Sequence, residues 1–333
     1  MRRSDGLGDR TGERGAALLT VLLLVAVIAV LAATALEKLR LSTRLAGNAA
    51  AGEQARAYGY AAETLALSRV NDLLGQAGQR VTLAGGWSNT PFRLPVPNGL
   101  ATARVKDGGN CFNLNGLVTE SAPGVYAENA PARIQFARLM RLVGVPSGVT
   151  DGIAAATADW IDTDNDPLPG GAEDGAYTGA ATPYRTSGTL MTDISELRAV
   201  SGVTADIYAK LRPWLCTLPV AKPSVINVNT LMPEQAPLFA MLLPDTLGVD
   251  AARQMLLKRP SQGFESVSAF WALPAQGAIT AAPDAQAQTG VTTKWFALQV
   301  DVAVGSAELQ QQSIIDATKL PARLVSRSWG EPS

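Results

Sequence analysis

Between residues 159 and 174 the chain carries six carboxylates: Asp159, Asp162, Asp164, Asp166, Glu173 and Asp174. No basic residue occurs among them, and the next along the chain is Arg185. Crowded carboxylates repel one another, and a hard divalent cation relieves that repulsion by taking roughly six to eight oxygen ligands. Asp159 and Asp162 stand three apart, which puts both on one side of a helix end. Asp164, Asn165 and Asp166 follow on a loop, and Gly170 and Gly171 let the chain turn back to present Glu173 and Asp174. The glycine and final glutamate of an EF-hand loop are not in register here. Two readings of these residues stand side by side: a calcium site, and a solvated acidic loop capping a helix. Asp193 and Glu196 are further acidic candidates, although Asp193 and Ser195 serve equally well as helix caps.

Composition removes most other chemistry. The chain has no histidine, which excludes a Ser-His-Asp triad, a Cys-His pair and any His-ligated zinc. Asp159 and Asp162 imitate a catalytic carboxylate pair, but helix spacing and metal binding explain them as well, leaving a calcium-dependent hydrolase a poor reading. Trp160, Trp214, Trp271 and Trp295 read as core anchors. With a formal net charge of −1, the chain as a whole has no attraction for nucleic acid or anionic surfaces. Paired short helices around Ser201-Gly202-Val203-Thr204 and Leu247-Gly248-Val249-Asp250 are similar to helix-hairpin-helix DNA-binding modules. Such modules offer backbone amides to phosphate, yet Lys and Arg are sparse here, and a packing role is favoured over a tethered DNA receptor. Asn227 and Asn229 are expected to satisfy turn backbone groups.

The elements that must position the acidic run begin with a membrane anchor. Residues 1–15 are polar, and residues 16–36 form an apolar run without charge, Gly or Pro. A stretch of about 20 such residues spans the bilayer core as a helix. Lys and Arg lie on both sides of it, at Arg2, Arg3, Arg10 and Arg14 before and at Lys38, Arg40, Arg44 and Arg56 after, so charge does not set the orientation. An anchored body outside the cytoplasm meets oxidising conditions, where the two cysteines, Cys111 and Cys216, are expected to pair. Residues 37–77 continue the helix, with Leu39, Leu41, Leu45, Tyr58, Ala62, Leu65, Val70 and Leu73 offered as its packing face. Residues 78–125 read as hairpins, including runs at 80–83, 92–94 and 101–105. Residues 126–285 read as an inserted helical domain, with helices over 130–143, 147–161, 195–200, 204–215, 229–243 and 249–258. Ser266 caps a further short helix, and 276–290 reads as a flexible return. Residues 286–333 return to strands, at 294–304, 308–317 and 320–328. The fold class is α+β: a long N-terminal transmembrane helix packed on an antiparallel sheet, with a large all-helical domain inserted between strands.

A charged leader, Gly15 and then an uninterrupted apolar helix resemble the class III signal of type IV pilins and type II secretion pseudopilins. The resemblance implies cleavage by a prepilin peptidase between Gly15 and Ala16, with accompanying methylation, and retention of the helix as anchor. The fifth mature residue is then Thr20, where most pilins carry glutamate; the large K pseudopilin typically lacks it. A carboxylate in the bilayer is costly without a partner, so a neutral residue suits a subunit with no neighbour ahead of it. Cys111-Phe-Asn-Leu-Asn115, Ala158-Asp-Trp-Ile-Asp-Thr-Asp164, Gly170-Gly-Ala-Glu-Asp174, Asp193-Ile-Ser-Glu-Leu-Arg198 and Ile226-Asn-Val-Asn-Thr230, in this order, extend the resemblance to K pseudopilins over most of the chain. It implies a pilin-like fold and a non-enzymatic subunit at the tip of the pseudopilus, needed for its assembly and for protein export. It also implies a bacterial inner-membrane location with a periplasmic body. The implied partners are the I and J minor pseudopilins, the major pseudopilin and the inner-membrane secretion platform. Calcium in the helical insertion follows from the same resemblance.

Overall fold

The computed structural model describes residues 11–179, 182–243, 248–272 and 283–330. Helix α1 (Thr11–Ala77) runs for 67 residues without a break, about 100 Å at roughly 1.5 Å per residue. Every large side chain from Leu18 to Leu36 is exposed, on all faces of the helix, and the helix is long and apolar enough to cross a membrane. Thr20 and Thr34 return their hydroxyls to the carbonyls of Ala17 and Leu31, which takes two polar groups off that apolar surface.

The strands in chain order are β1 (Phe92–Val96), β2 (Gly99–Asp107), β3 (Phe112–Asn113), β4 (Val118–Ala122), β5 (Val125–Glu128), β6 (Leu215–Cys216), β7 (Ile226–Asn227), β8 (Thr289–Gly290), β9 (Trp295–Val304), β10 (Ala307–Asp316) and β11 (Arg323–Trp329). Five of them form one antiparallel sheet in the order β1-β2-β9-β10-β11. Alternation along β9 turns Phe296, Leu298, Val300, Val302 and Val304 to one face, where they share a core with α1.

The face that α1 presents matches the expected one at Tyr58, Ala62, Val70 and Leu73 and differs from it at the other leucines. Leu39, Leu41, Leu45 and Leu65 are exposed, whereas Ala55, Gly59, Ala62, Glu63, Ala66 and Val70 are buried and Tyr58 and Leu73 partly so. Small residues let the helix lie close to the sheet; a Cβ on Gly59 would come within 2.9 Å of Gln311 Oε1. Leucines along this line would hold the two apart. Buried Glu63 receives a fork from Arg327 on β11, with Nε and Nη2 both at 2.6 Å, and further donation from Gln311 and Ser313 on β10.

Between β2 and β9 the chain leaves the sheet and returns beside its exit. Gly108 donates its N–H to the Trp295 carbonyl at 2.8 Å, and half-buried Asp107 accepts hydroxyls from Thr230 and Thr293. This excursion holds α2 (Ala130–Leu142), α3 (Ser147–Ile161), α4 (Asp174–Thr178), α5 (Ala205–Leu211), α6 (Ala236–Ala240), α7 (Val249–Leu257), α8 (Val267–Trp271) and α9 (Pro283–Ala287). Its core also takes in Phe112, Leu114, Leu117 and Val118. It is not purely helical: β4 pairs with β5, β3 with β6 and β7 with β8. The helix expected over 229–243 is instead a 3₁₀ turn (Pro233–Gln235) followed by α6, because Pro237 is tolerated only in a first turn. Ser266 caps α8 by accepting the Ala269 N–H. The run at 80–83 is irregular rather than a strand, with buried Val81 donating to the Val291 carbonyl. The return expected over 276–290 falls partly on residues 273–282, outside those described; its end is α9 and β8.

Asparagines stitch the insertion to itself. Asn113 donates to the Val220 and Lys222 carbonyls, and Asn115 donates to those of Met191 and Leu218. Asn229 both donates to and accepts from the backbone of Phe264, as expected of a residue that satisfies turn groups. Cys111 and Cys216 form a disulfide, with Cα atoms 5.8 Å apart and a sequence separation of 105. The bridge ties the start of the excursion to its middle. Replacing both cysteines by serine should lower stability by at most about 4–5 kcal/mol in the chain-entropy account; urea denaturation of the oxidised, reduced and substituted proteins measures it, and identical midpoints would refute it.

Candidate metal centre

Helix α3 delivers Asp159 in its last turn and Asp162 at its C-cap, where the Asp162 N–H still donates to the Ala158 carbonyl. The chain then loops out through Asp164 and Asp166 and returns over the end of the helix. Asp159 holds that return in place by accepting the N–H groups of Leu168 and Ala172, the latter at 2.7 Å. Gly171 lies directly against it: a Cβ there would fall 2.0 Å from Asp159 Oδ2. Only glycine fits this crossing. The turn then sets Glu173 at the N-cap of α4, facing the two aspartates.

The result is a group of three buried carboxylates, Asp159, Asp162 and Glu173, with oxygens within 4.8 Å of one another. Oxygens sharing one calcium ion, each at roughly 2.3–2.6 Å, lie at most about 5 Å apart. Two of the oxygens, Asp162 Oδ1 and Glu173 Oε1, are buried without a hydrogen-bond partner, an expensive condition for a carboxylate unless a cation meets it. The residues present therefore fit a hard, oxygen-seeking ion. Burial raises the affinity of all three groups for protons. Asp162 is pushed up to about 7 by burial first and by Asp164, Glu173 and Asp159 next. In Asp159 burial outweighs the two donated amides, and in Glu173 burial acts together with Asp159.

The structure sorts the other three expected ligands differently. Asp164 is exposed and accepts the Asp166 N–H at 2.9 Å, shaping the loop, while its charge acts on Asp162. Asp166 is exposed and lies outside the converging group. Asp174 turns away to Arg185 and Thr186, and the Thr186 amide, chief among these partners, lowers its proton affinity. Thr186 also donates to Glu173 Oε2 at 3.3 Å, a contact that no local spacing announces. Asp193 and Glu196 form a capping box on the turn Ile194–Ala199.

The same stretches of chain match known proteins. Residues 110–220 and 226–294 each match a family model described as type II secretion system (T2SS), protein K. Type II secretion system protein K of Pectobacterium carotovorum subsp. carotovorum is 34% identical over 332 residues, covering 96% of this chain and 98% of that one. The protein K of Klebsiella pneumoniae is 34% identical over 319 residues, covering 96% and 97%. Among solved structures, that of the GspK-GspI-GspJ complex of the enterotoxigenic Escherichia coli type 2 secretion system includes a chain similar to this one, with a TM-score of 0.72 and 30% identity, covering 84% of this chain and 96% of that one. Relatives 34% identical to this chain match it nearly end to end, and the chain belongs to the type II secretion system protein K family.

Proposed function

We propose that this protein is a non-enzymatic minor pseudopilin at the tip of a type II secretion pseudopilus, anchored in the bacterial inner membrane with its body in the periplasm. It works there with the I and J minor pseudopilins, joins the major pseudopilin and the inner-membrane platform, and is needed for pseudopilus assembly and export of folded proteins. The observation that carries this reading is its likeness, at TM-score 0.72, to a GspK solved together with GspI and GspJ. The geometry agrees: a slender apolar helix suits packing among other helices, and a broad body at its far end suits a cap, since it obstructs stacking of a further subunit. Coexpression of the body with its cognate I and J subunits tests the reading; a stable three-subunit complex is expected, and separate elution of the three proteins would overturn it.

Processing belongs to the same proposal. Gly15 is exposed with nothing within 4 Å of the place its side chain would occupy, so a prepilin peptidase meets no obstruction from the body. The mature chain should begin at Ala16, and Edman sequencing that finds Met1 intact in cells would refute the cleavage. Calcium, held by Asp159, Asp162 and Glu173, steadies the insertion by neutralising charge that the fold buries.

The rival reading as a DNA receptor loses its hairpin. Ser201 donates its N–H to the Tyr177 hydroxyl, Val203 donates to the Val200 carbonyl, and a Cβ on Gly202 would meet Ile153 of α3 at 3.1 Å. The Ser201 and Val203 amides of this exposed turn are thus engaged within the chain rather than offered to a phosphate. The second candidate hairpin, 247–250, lies partly outside the described residues.

A further inference from the structure

Between the apolar run and the sheet, residues 37–50 of α1 are exposed throughout, and the body reaches this stretch near its far end, where Ser306 donates its hydroxyl to Asn48 Oδ1 at 3.0 Å. Lys38, Arg40 and Arg44 project from this stem, and among the described residues none of them has an ion-pair or hydrogen-bond partner. Leu39, Leu41 and Leu45 are interleaved with them and are as exposed as the membrane-spanning leucines. A mixture of free cations and bare leucines is unfavourable in open water and suits the polar margin of a bilayer.

Axial position identifies the partner. The apolar run ends at Leu36. At roughly 1.5 Å per residue, Lys38 lies about 3 Å, Arg40 about 6 Å and Arg44 about 12 Å beyond it along the helix. The headgroup layer outside the hydrocarbon core is about 5–7 Å deep on each side. Lys38 and Arg40 therefore fall within it, and Arg44, one turn above Arg40 on the same face, reaches back with its long side chain. Guanidinium groups bind phosphate oxygens in a fork and ammonium groups bind them as point charges. Glu37 is the single acidic residue between Leu36 and Glu53, so the stem carries a net positive charge beside the membrane. Cleavage after Gly15 would remove Arg2, Arg3, Arg10 and Arg14, and no Lys or Arg lies between Ala16 and Glu37; these stem residues then hold the only side-chain cations close to either membrane edge.

We propose that Lys38, Arg40 and Arg44 form a cationic collar that binds the phosphates of anionic phospholipids at the membrane surface and so sets the depth of α1. The proposal rests on the reading of residues 16–36 as a membrane span. Its consequence is a catch: lipid phosphate holds the stem down until assembly lifts the helix away from the bilayer.

The test uses the full chain with Ser42→Cys carrying an environment-sensitive fluorophore, reconstituted in vesicles of phosphatidylcholine alone and of phosphatidylcholine with about one third phosphatidylglycerol. In the anionic vesicles, quenching of the probe by neutral acrylamide should fall at least roughly three-fold, and salt should reverse the change. Lys38→Gln/Arg40→Gln/Arg44→Gln should quench alike in both vesicles. Equal quenching of the unsubstituted stem in the two lipids overturns the collar. Protection that appears only when I and J subunits are added overturns it too, and assigns the cations to an acidic helix of a neighbour. Alkaline extraction keeps the two readings apart: retention in both lipids upholds the span whatever the probe reports, whereas release from both removes the span and the collar with it.

Discussion

In excess calcium the soluble body should melt roughly 10 °C higher than in chelator, because a ligand at about 1,000 times its Kd stabilises by about 4 kcal/mol and each kcal/mol moves a domain of this size by roughly 2–4 °C. Asp162→Asn should abolish the shift, since Asp162 contributes one of the two bare buried oxygens. The same substitution should raise the melting point in chelator, because it removes a buried charge crowded by Asp164, Glu173 and Asp159. Asp174→Asn, which touches Arg185 and Thr186 instead, should leave most of the shift in place. Magnesium should substitute weakly, as it demands tighter octahedral geometry and gives up water reluctantly.

The calcium effect should grow with pH, and its sign follows from the raised proton affinity of Asp162. Its folded value of about 7 stands above the ordinary 3.8, so the folded protein binds this proton more tightly than the unfolded chain. That stabilisation is fully present below about pH 4 and is lost as pH rises through about 7. Chelated protein should therefore lose stability between about pH 5 and pH 7.5. Calcium competes with the same proton, so the difference between the two melts should be small at about pH 5 and widest above pH 7. Coincident melts at every pH, with no metal in the purified protein, would reduce the group to an acidic surface feature.

How far this centre was legible depended on how locally each contact is made. Asp159 and Asp162 could be paired from helix spacing, and Glu173 from the glycines that turn the chain back. Asp166 and Asp174 could not be separated from the converging carboxylates, because the partner that draws Asp174 away lies 11 residues on at Arg185 and no periodicity connects the two. Hairpins and helices with uninterrupted patterns, such as α3 and β9, were readable, whereas the face of α1 was readable only at Tyr58, Ala62, Val70 and Leu73. Leucine at helical spacing is ordinarily the core signal, but here the helix packs through Ala and Gly so that it can lie against the sheet. The asparagine motifs were visible as a resemblance; that Asn113, Asn115 and Asn229 tie backbone carbonyls across 35 to 109 residues is a property of the folded chain alone.

The least legible contact of all should carry one of the largest energetic effects. Glu63 and Arg327 are 264 residues apart in sequence, and nothing in either neighbourhood announces the other. Folded, the Glu63 side chain is 7% exposed and that of Arg327 32%, and Gln311 and Ser313 complete the carboxylate's set of donors. Arg327 in turn lies over the Tyr60 ring, 4.7 Å from its centroid, and Tyr60 meets Trp329 edge to face. This cluster joins the helix to β10 and β11, the strands farthest from β1. Glu63→Ala leaves a half-buried guanidinium and two buried donors without their acceptor, which costs about 3 kcal/mol, the lower end for a broken buried pair because Arg327 keeps some contact with water. Against a total stability of about 5–15 kcal/mol, the loss should first show locally. Hydrogen exchange over residues 55–70 and β11 should quicken while the disulfide-tied insertion stays protected. Glu63→Leu combined with Arg327→Leu should recover much of the stability, because paired apolar side chains need no counter-charge. Urea denaturation of the soluble body, followed by tryptophan fluorescence, decides the matter: a Glu63→Ala midpoint equal to that of the parent protein would mean that α1 is held to the sheet by its alanine stripe alone.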